Sequence, residues 1–292
     1  MKILILGASG MLGHKLIQTA SEKFETFGTF RKKPSEYTIK HVFSNLNPLY
    51  DVDADNISDI ESAIKSSNPD VVVNCIGIVK QLPEAKDSIQ SIKINALFPH
   101  QVAKICREKG IRFIHISTDC VFSGKNGNYL ESDFADADDL YGRTKYLGEV
   151  TGPGCLTLRT SIVGRELKGS NGLFEWFFSQ NGKQVDGYKK AVFSGLTTNA
   201  LSEIICEITL NHPKLEGLYH VSSEPVDKYS LLSLVKEKYG LNIQIVPDES
   251  VVCDKSLNSQ KFKEDTGISI PLWADMIGEI YLDKTPYDII RR

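Results

Sequence analysis

Tyr141 and Lys145 are the two residues whose types and spacing could do chemistry together. They lie four residues apart in a helical stretch, so their side chains project from one face. A tyrosine phenol has an ordinary pKa of about 10, and a nearby lysine ammonium favours the phenolate and lowers that pKa. Reaching about 7 would take roughly 4 kcal/mol of differential stabilisation. The pair therefore predicts a tyrosine that exchanges protons near neutral pH, although an exposed helix face also explains the pattern.

A second chemical signal lies near the start of the chain, where Gly7, Gly10 and Gly13 are spaced three residues apart. The apolar run 2–6 predicts a buried strand, and the apolar residues of 11–20 recur at helical period. A helix that starts after such a turn directs its free N–H groups and positive dipole end at a phosphate. Glycines serve where a side chain would hold the backbone away from the diphosphate. The stretch favours dinucleotide binding over an incidental turn.

The residue after the next predicted strand, 24–30, indicates which dinucleotide would bind. In a dinucleotide fold this position meets the adenosine ribose, where an acidic residue bonds a free 2′-hydroxyl and a basic residue suits a 2′-phosphate. This chain has Arg31 there. We therefore predict NADPH as the cofactor and NADH as the alternative, and a solvated basic turn is the other interpretation of Arg31.

The elements that must position these residues alternate between strands and helices, with an irregular segment at 34–50 that holds one short strand. Alternation implies right-handed crossovers and a parallel sheet covered on both faces. Ligands of such sheets bind beyond the carboxyl ends of the strands. Three segments fall at such ends and should line one crevice: 7–11, 75–80 and 117–120. The predicted elements are helix 57–67, strand 71–77, helix 92–109, strand 112–117 and helix 140–149.

The second half of the chain predicts a smaller lobe. We expect an α/β protein with a Rossmann-type, doubly wound parallel sheet and a smaller α/β substrate-binding lobe. The dinucleotide-binding domain would comprise 1–164 plus about 191–212, and the lobe about 165–190 plus 213–292. Its predicted elements are an apolar helix at 171–181, strands 218–222 and 241–246, and helices 228–239 and 271–282.

Composition excludes several classes of protein. The 292 residues suit one large domain or two ordinary ones, and a net charge of −3 gives no basic footprint for nucleic acid or an anionic membrane. Six scattered cysteines show no paired spacing typical of zinc or redox sites, so we predict no metal site. Apolar runs are too short for a signal peptide or membrane span. We expect a soluble, cytoplasmic protein.

Several motifs in order carry a family resemblance: Gly7-x-x-Gly10-x-x-Gly13, Asn74, Ser117-Thr118-Asp119-x-Val121-Phe122-x-Gly124, Tyr141-Gly142-x-x-Lys145, Gly148-Glu149 and Leu158-Arg159-Thr160-Ser161. With them the chain resembles the extended short-chain dehydrogenases/reductases, and within these the dTDP-4-dehydrorhamnose reductase family of nucleotide-sugar reductases. The resemblance reaches Leu257-Asn258 and Pro271-x-Trp273, and so covers most of the chain. It implies NADPH-dependent reduction of a nucleoside-diphosphate 4-keto-6-deoxy sugar in the synthesis of cell-surface polysaccharide precursors.

The resemblance also implies roles for individual residues. Thr118 and Tyr141 would bond the substrate carbonyl oxygen, with Tyr141 as the proton donor, and Lys145 would hold the nicotinamide ribose. Two departures put rhamnose itself in doubt, because the family usually has an aromatic residue at Cys120 and a tryptophan near Ile162. The cofactor-binding residues would be Gly7, Ser9, Gly10, Met11, Leu12, Arg31, Asp53, Ala54, Cys75, Gly77 and Lys145. The substrate-binding residues would be Lys80, Asp119, Cys120, Ile162 and Arg165.

Alternative functions stay open at this point. A 4,6-dehydratase would have a glutamate at Cys120, and an epimerase that retains NAD would have an acidic residue near Arg31, so both fit less well. A bifunctional epimerase/reductase could use Cys120, because the site resembles that of GDP-fucose synthase, where a cysteine exchanges a proton beside the sugar ketone. A thiol with a pKa near 8.5 suits that role, but the histidine acid of that enzyme has no counterpart between His115 and His212. A buried structural cysteine is the other interpretation of Cys120. A non-catalytic, nucleotide-binding regulatory subunit is the remaining alternative function. We also expect a homodimer.

Overall fold

Short branched apolar runs form the strands of the fold, and amphipathic stretches between them form its helices. The computed structural model describes residues 1–291. Its strands are β1 (Lys2–Leu6), β2 (Glu25–Thr29), β3 (Asn47–Leu49), β4 (Val71–Asn74), β5 (Arg112–Thr118), β6 (Cys155–Thr160), β7 (Ile162–Val163), β8 (Gln184–Tyr188), β9 (Ala191–Phe193), β10 (Leu196–Thr197), β11 (Gly217–His220), β12 (Val226–Asp227), β13 (Gln244–Asp248) and β14 (Cys253–Asp254).

The helices connect and cover these strands. They are α1 (Met11–Ala20), α2 (Glu36–Val42), α3 (Ile57–Ser67), α4 (Ser88–Ser91), α5 (Phe98–Glu108), α6 (Leu140–Leu147), α7 (Leu173–Phe178), α8 (Thr198–Asn211), α9 (Lys228–Tyr239), α10 (Gln260–Thr266), α11 (Trp273–Tyr281) and α12 (Tyr287–Ile290). A π-helical segment, Ile92–Leu97, joins α4 to α5, and 3₁₀ turns occur at Pro83–Lys86 and Asp119–Val121. Within the described residues, no helix combines the length and apolar character needed to cross a membrane.

The main sheet confirms the predicted Rossmann-type fold. Its seven strands run in the order β11-β6-β5-β4-β1-β2-β3, and every pairing is parallel. Strand β1 alternates its side chains between the two faces: Ile3 and Ile5 pack with the core on the side of α1 and α8, and Leu4 and Leu6 with the core of α3 and α5. Each such buried side chain contributes about 1.5–3 kcal/mol. Hydrophobic burial on both faces thus fixes the strand that leads into the glycine turn.

Three small sheets accompany the main sheet. Strand β8 pairs with β13 in parallel, β9 lies between β12 and β14, and β7 pairs with β10. The sheet of β9, β12 and β14 lies against the segment after β5, since Asp254 N donates to Gly124 O at 2.7 Å. The lobe is therefore anchored directly beside the end of β5.

The placement of two strands in our division of the chain is wrong. We assigned strand 218–222 to the smaller lobe, but β11 extends the main sheet by pairing with β6, from Gly217 opposite Leu156. We assigned 191–212 to the dinucleotide-binding domain, but β9 pairs with β12 and β14. A short apolar strand does not specify its partner, because neighbouring strands supply half of its contacts. The domain division as a whole stays a prediction.

Two helices also differ from the sequence predictions. The segment 34–50 contains α2 besides the expected short strand; Ser35 caps this helix by accepting from Thr38 N at 3.2 Å. Only two of its residues are buried, so its apolar period is not visible in the sequence. The helix expected from 92 starts earlier, at Ser88, where the Asp87 side chain accepts from the N–H groups of Ile89 and Gln90. Ile89 is 76% exposed, and the apolar face therefore begins only after it.

Candidate active site

The glycine turn between β1 and α1 forms a cradle that a side chain would fill. Gly7 has a φ of +83°, and its N–H donates to the Thr29 hydroxyl at 3.1 Å, which ties the turn to β2. A Cβ added to Gly13 would lie 2.1 Å from the carbonyl oxygen of Gly7. Only glycine at position 13 lets α1 approach the turn this closely. Glycine at position 13 is therefore required for the first turn of α1 to pack against the carboxyl end of β1.

The beginning of α1 fits a diphosphate. Gly10 is the N-cap and has no side chain to satisfy the first N–H groups, and the first turn carries no acidic residue. A helix with free N–H groups and an uncompensated positive dipole end binds anions. The predicted residues Ser9 and Gly10 are exposed here, and Met11 is half-buried. The chain thus fits a dinucleotide at the position that the sequence indicates.

The loops after β2 and β3 run side by side at the same edge of the sheet. Phe30 N donates to Leu49 O at 2.9 Å, and Val52 N donates to Phe30 O at 3.1 Å. Arg31 is exposed next to this junction, and Asp53 and Ala54 follow it on the neighbouring loop. Arg31, predicted to meet the adenosine ribose, is therefore brought to the same edge as Asp53 and Ala54, which are predicted to bind the cofactor.

Lys145 links the ends of β4 and β5. Its Nζ donates to the carbonyl oxygen of Ile116 at 2.8 Å and lies 3.9 Å from where a Cβ on Gly77 would be. The loop after β4 is fixed by the Asn95 side chain, in the π-helical segment. Its amide oxygen accepts from Ile78 N at 2.8 Å, and its amide nitrogen donates to Ile78 O at 2.9 Å. Lys145 and the 75–77 loop thus meet where the sequence predicts the nicotinamide end of the cofactor.

Tyr141 reaches Thr118 because α6 packs very tightly against the end of β5. A Cβ on Gly142 would lie 2.2 Å from the carbonyl oxygen of Cys120, so only glycine allows this approach. Asp139 fixes the start of α6 by accepting from Gly142 N at 2.7 Å. The Thr118 hydroxyl, which donates to Asp119 Oδ1 at 3.2 Å, lies close enough to Tyr141 to act against the rise in the pKa of its phenol. Two of the three predicted catalytic residues, Thr118 and Tyr141, therefore meet at the end of β5.

The pKa of Tyr141 is not lowered in this structure, and a lowering with an oxidised nicotinamide bound stays a prediction. Burial raises the pKa of Tyr141 above its ordinary value, and the Cys120 thiol adds to this effect, which outweighs Thr118. Burial also lowers the pKa of Lys145 to about 8, against the opposing effects of Glu149 and Cys75. The tyrosine is a neutral phenol at pH 7, in the form of a proton donor, and the lysine still carries its charge. Sequence spacing shows the pair but not its desolvation.

Cys120 follows Thr118 in the turn at the end of β5. Its N–H donates to the Thr118 hydroxyl at 3.1 Å, and Asp119 beside it is buried. Burial, helped by the Asp119 carboxylate, raises the pKa of the Cys120 thiol to about 12. The thiol near its ordinary pKa that the epimerase alternative requires is therefore not found here, because that value belongs to a solvated thiol. Burial raises the pKa of Asp119 as well.

Two lysines that the sequence did not single out reach the same turn. Lys228 begins α9 and Lys255 follows β14, and both are half-buried. The Lys228 Nζ lies 4.2 Å from the centre of the Phe193 ring, and Asp119 and Cys120 stabilise its charge against the burial that lowers its pKa. Lys255 acts in turn on Asp119. No sequence signal marks them, since they lie more than a hundred residues from the turn.

The other predicted substrate residues have different surroundings. Arg165 pairs with the buried Glu175 at 2.6 Å, and its guanidinium lies between the rings of Phe178 and Tyr287, at 4.8 and 4.7 Å from their centres. These contacts give Arg165 a role in packing, and its predicted contact with the substrate stays a prediction. The exposed Lys80 pairs with Asp139 at 2.6 Å, at the start of α6.

Ile162 is half-buried in β7, opposite Leu196. Its predicted contact with the sugar stays a prediction, as does that of Lys80.

Comparison with known proteins adds a family to this geometry. The family model described as the RmlD substrate binding domain matches residues 1–283. The chain is 24% identical to the spore coat polysaccharide biosynthesis protein SpsK of Bacillus subtilis, over 97% of this chain and 98% of that protein. It is 28% identical to the dTDP-4-dehydrorhamnose reductase of Escherichia coli, over 94% of each. A Bacillus anthracis dTDP-4-dehydrorhamnose reductase in complex with NADP superposes with a TM-score of 0.78, at 19% identity, over 96% of this chain and 98% of that chain.

Proposed function

Because the chain belongs to the RmlD substrate binding domain family, the nucleotide-sugar reductases that resemble dTDP-4-dehydrorhamnose reductase, we propose that it reduces a nucleoside-diphosphate 4-keto-6-deoxy sugar with NADPH. One observation carries the proposal: three groups lie at the same edge of the main sheet. They are the uncapped N-terminus of α1, Lys145 and the Thr118–Tyr141 pair. Similarity to SpsK supports a role in polysaccharide precursor synthesis. A cytoplasmic location and a homodimer stay predictions.

The residues of the site divide the work of reducing a ketone. What a bound reduced nicotinamide supplies is a hydride for the carbonyl carbon. Tyr141 donates its phenolic proton to the carbonyl oxygen, which becomes the hydroxyl of the product, and Thr118 donates a hydrogen bond to the same oxygen. Lys145 is still charged near pH 7 with a pKa of about 8. Its place four residues along the same helix as Tyr141 supports our assignment of Lys145 to stabilising the tyrosinate that remains. Solvent then returns the proton to Tyr141.

The substrate's diphosphate has its partners in Lys228 and Lys255. Both ammonium groups act on the Asp119 carboxylate, and Lys255 also acts on Asp139, which pairs with Lys80, so positive charges outnumber negative ones among these groups. A doubly charged diphosphate suits this excess, and a half-buried setting strengthens the attraction. The lysines thus extend the site from the sugar towards the nucleotide.

The role of Cys120 separates a plain reductase from an epimerase/reductase. A thiol with a pKa of about 12 has almost no thiolate at pH 7, so it is a poor base for removing a proton next to the ketone. We therefore assign Cys120 to the wall of the sugar pocket. Incubating the keto substrate with the protein in heavy water without cofactor checks this, because epimerisation would place deuterium on carbon 3 or 5 and a pocket residue would not.

The proposal is tested by NADPH oxidation with a panel of nucleoside-diphosphate 4-keto-6-deoxyhexoses. Tyr141→Phe should lower turnover by about 100-fold or more and leave NADPH binding intact, because general acid catalysis typically contributes 10²–10⁴. Tyr146→Phe is the matched control, since Tyr146 lies on the same helix and is 44% exposed. Near-parental turnover in Tyr141→Phe would refute the catalytic role, and a protein that binds NADPH but reduces no member of the panel would favour the regulatory subunit.

A further inference from the structure

The C-terminal segment 283–291, which we call the C-terminal strap, lies directly behind the phosphate-binding turn. Its Tyr287 hydroxyl lies 2.9 Å from His14 Nε2, and the other ring nitrogen of His14, Nδ1, lies 2.9 Å from the carbonyl oxygen of Gly10. Gly10 is the N-cap of α1. A continuous chain of hydrogen bonds therefore joins the strap to the residue on which a diphosphate would rest.

The chain of hydrogen bonds continues to a buried ion pair. The Tyr287 hydroxyl also lies 2.9 Å from Oδ2 of Asp283, and Lys15 Nζ lies 2.7 Å from the same oxygen. His14 is fully buried, and the side chains of Lys15 and Asp283 are only 8% and 7% exposed. Such a buried network stabilises the fold only if each polar atom is satisfied.

Counting the hydrogen atoms shows that this chain is one proton short. A carbonyl oxygen can only accept, so His14 Nδ1 carries a hydrogen and donates it to Gly10. In the neutral ring Nε2 then accepts, and it competes with Asp283 for the single hydrogen of Tyr287. A second proton on His14 would resolve this conflict, because Nε2 would donate to Tyr287 and Tyr287 to Asp283.

The surroundings of His14 disfavour its protonated form when no diphosphate is bound. Burial lowers the pKa of His14 to about 4; the Lys15 ammonium adds to this effect, and the Gly10 carbonyl and the Asp283 carboxylate oppose it. The Arg165 guanidinium adds a further positive charge 4.7 Å from the centre of the Tyr287 ring. A diphosphate at the start of α1 would bring negative charge within one helix turn of His14, and nearby opposite charge favours the protonated imidazole.

We propose that His14 and Tyr287 position the phosphate-binding turn and that dinucleotide binding is coupled to the uptake of one proton by His14. This inference rests on the proposed function, since it needs a dinucleotide at Gly10. Proton uptake completes the hydrogen bonds from Gly10 to Asp283, and the strap then holds the turn in place. His14 and Tyr287 are positioning residues, because neither contacts the reacting atoms.

The test is calorimetric titration of the protein with NADPH at pH 7 in buffers of different ionisation enthalpy. The slope of the observed enthalpy against the buffer enthalpy gives the number of protons taken up. NADH is the second probe, because it has the diphosphate but no 2′-phosphate that titrates near neutral pH. We expect an uptake that approaches one proton per site with either probe and weaker binding as the pH rises.

Two variants identify His14 as the acceptor of the proton. His14→Asn keeps a donor for the Gly10 carbonyl but cannot titrate. It should bind the dinucleotide with an affinity reduced by no more than about tenfold, and without proton uptake. Tyr287→Phe keeps the ring against Arg165 and removes the hydroxyl, so uptake should fall there too. His41→Asn is the matched control, because His41 Nδ1 makes the same contact with the carbonyl oxygen four residues earlier, at 2.8 Å, on an exposed helix face.

The outcomes separate the two claims. Binding by the parent protein without dependence on the buffer overturns the inference and leaves the proposed function standing. Uptake that persists in His14→Asn overturns it as well, because the proton then goes elsewhere. Failure of the parent protein to bind either dinucleotide overturns the proposed function and the inference together.

Discussion

His220 should make the protein sensitive to acid well before its carboxylates titrate. Its Nε2 faces the Arg159 guanidinium at 3.3 Å, and since arginine only donates, Nε2 must accept. Its Nδ1 then donates to the carbonyl oxygen of Tyr129 at 3.0 Å. A second proton, on Nε2, would face the positively charged Arg159 guanidinium, so protonation of His220 is unfavourable in the folded protein. Burial and this neighbouring charge lower the pKa of His220 from 6.5 to about 4.

The size of the effect follows from these two pKa values. The folded pKa lies below the unfolded one, so between pH 6.5 and 4 the unfolded chain binds a proton that the folded protein does not. Stability from His220 is therefore present above pH 6.5 and is lost as the pH falls towards 4. Between pH 7 and 4.5 the loss amounts to about 2.5 kcal/mol, from 1.36 kcal/mol per unit of pKa.

The assay compares urea unfolding of the parent protein with that of His220→Asn at pH 7 and 4.5. Asparagine keeps a donor for Tyr129 and does not titrate. At pH 7 the variant should be less stable by about 1–2 kcal/mol, because the side chain no longer accepts from Arg159. On going to pH 4.5 the parent protein should lose about 2.5 kcal/mol of stability that the variant does not lose, so the variant should become the more stable of the two. His14 titrates in both proteins and cancels, so parallel loss of stability in the two would refute the assignment.

Two further predictions concern the cofactor site. Gly13→Ala should abolish most dinucleotide binding, because its Cβ would lie 2.1 Å from the Gly7 carbonyl oxygen and force α1 off the turn. Gly278→Ala is the control: its Cβ would make only an ordinary contact, 3.9 Å from Lys238 Nζ, so it should be neutral or stabilising by up to about 1 kcal/mol. Unchanged binding in Gly13→Ala by fluorescence titration would contradict the geometry. Arg31→Ala should reduce a preference for NADPH over NADH of about tenfold or more, since a guanidinium on a 2′-phosphate is worth about 1.5–3 kcal/mol. Equal kcat/KM with the two cofactors in the parent protein would exclude that role for Arg31.

The sequence alone determined the part of the fold that is local. The bounds of β1, α1 and α3 agree with the sequence predictions, because strand, turn and helix signals there lie within one continuous stretch. The alternation of strands and helices also predicted the parallel sheet, since crossover geometry leaves few alternatives. Spacing placed Tyr141 and Lys145 on one helix face, a consequence of helix geometry that needs no tertiary contact.

Tertiary structure decided the partners and the chemistry of these groups. Arg165 carries the same charge in any context, but only the fold places it between two rings and beside Glu175. Lys228 and Lys255 meet Asp119 because β9 brings β12 and β14 together, and no local pattern encodes that pairing.

The pKa values of Tyr141, Lys145 and Cys120 show the same division. Their residue types come from the sequence, and the spacing suggested a phenol and a thiol ready to ionise near neutral pH. In the structure, burial raises the pKa of the phenol and the thiol and lowers that of the lysine. The physical reason is that desolvation depends on every chain segment around a group, so it is set only when distant parts of the chain come together.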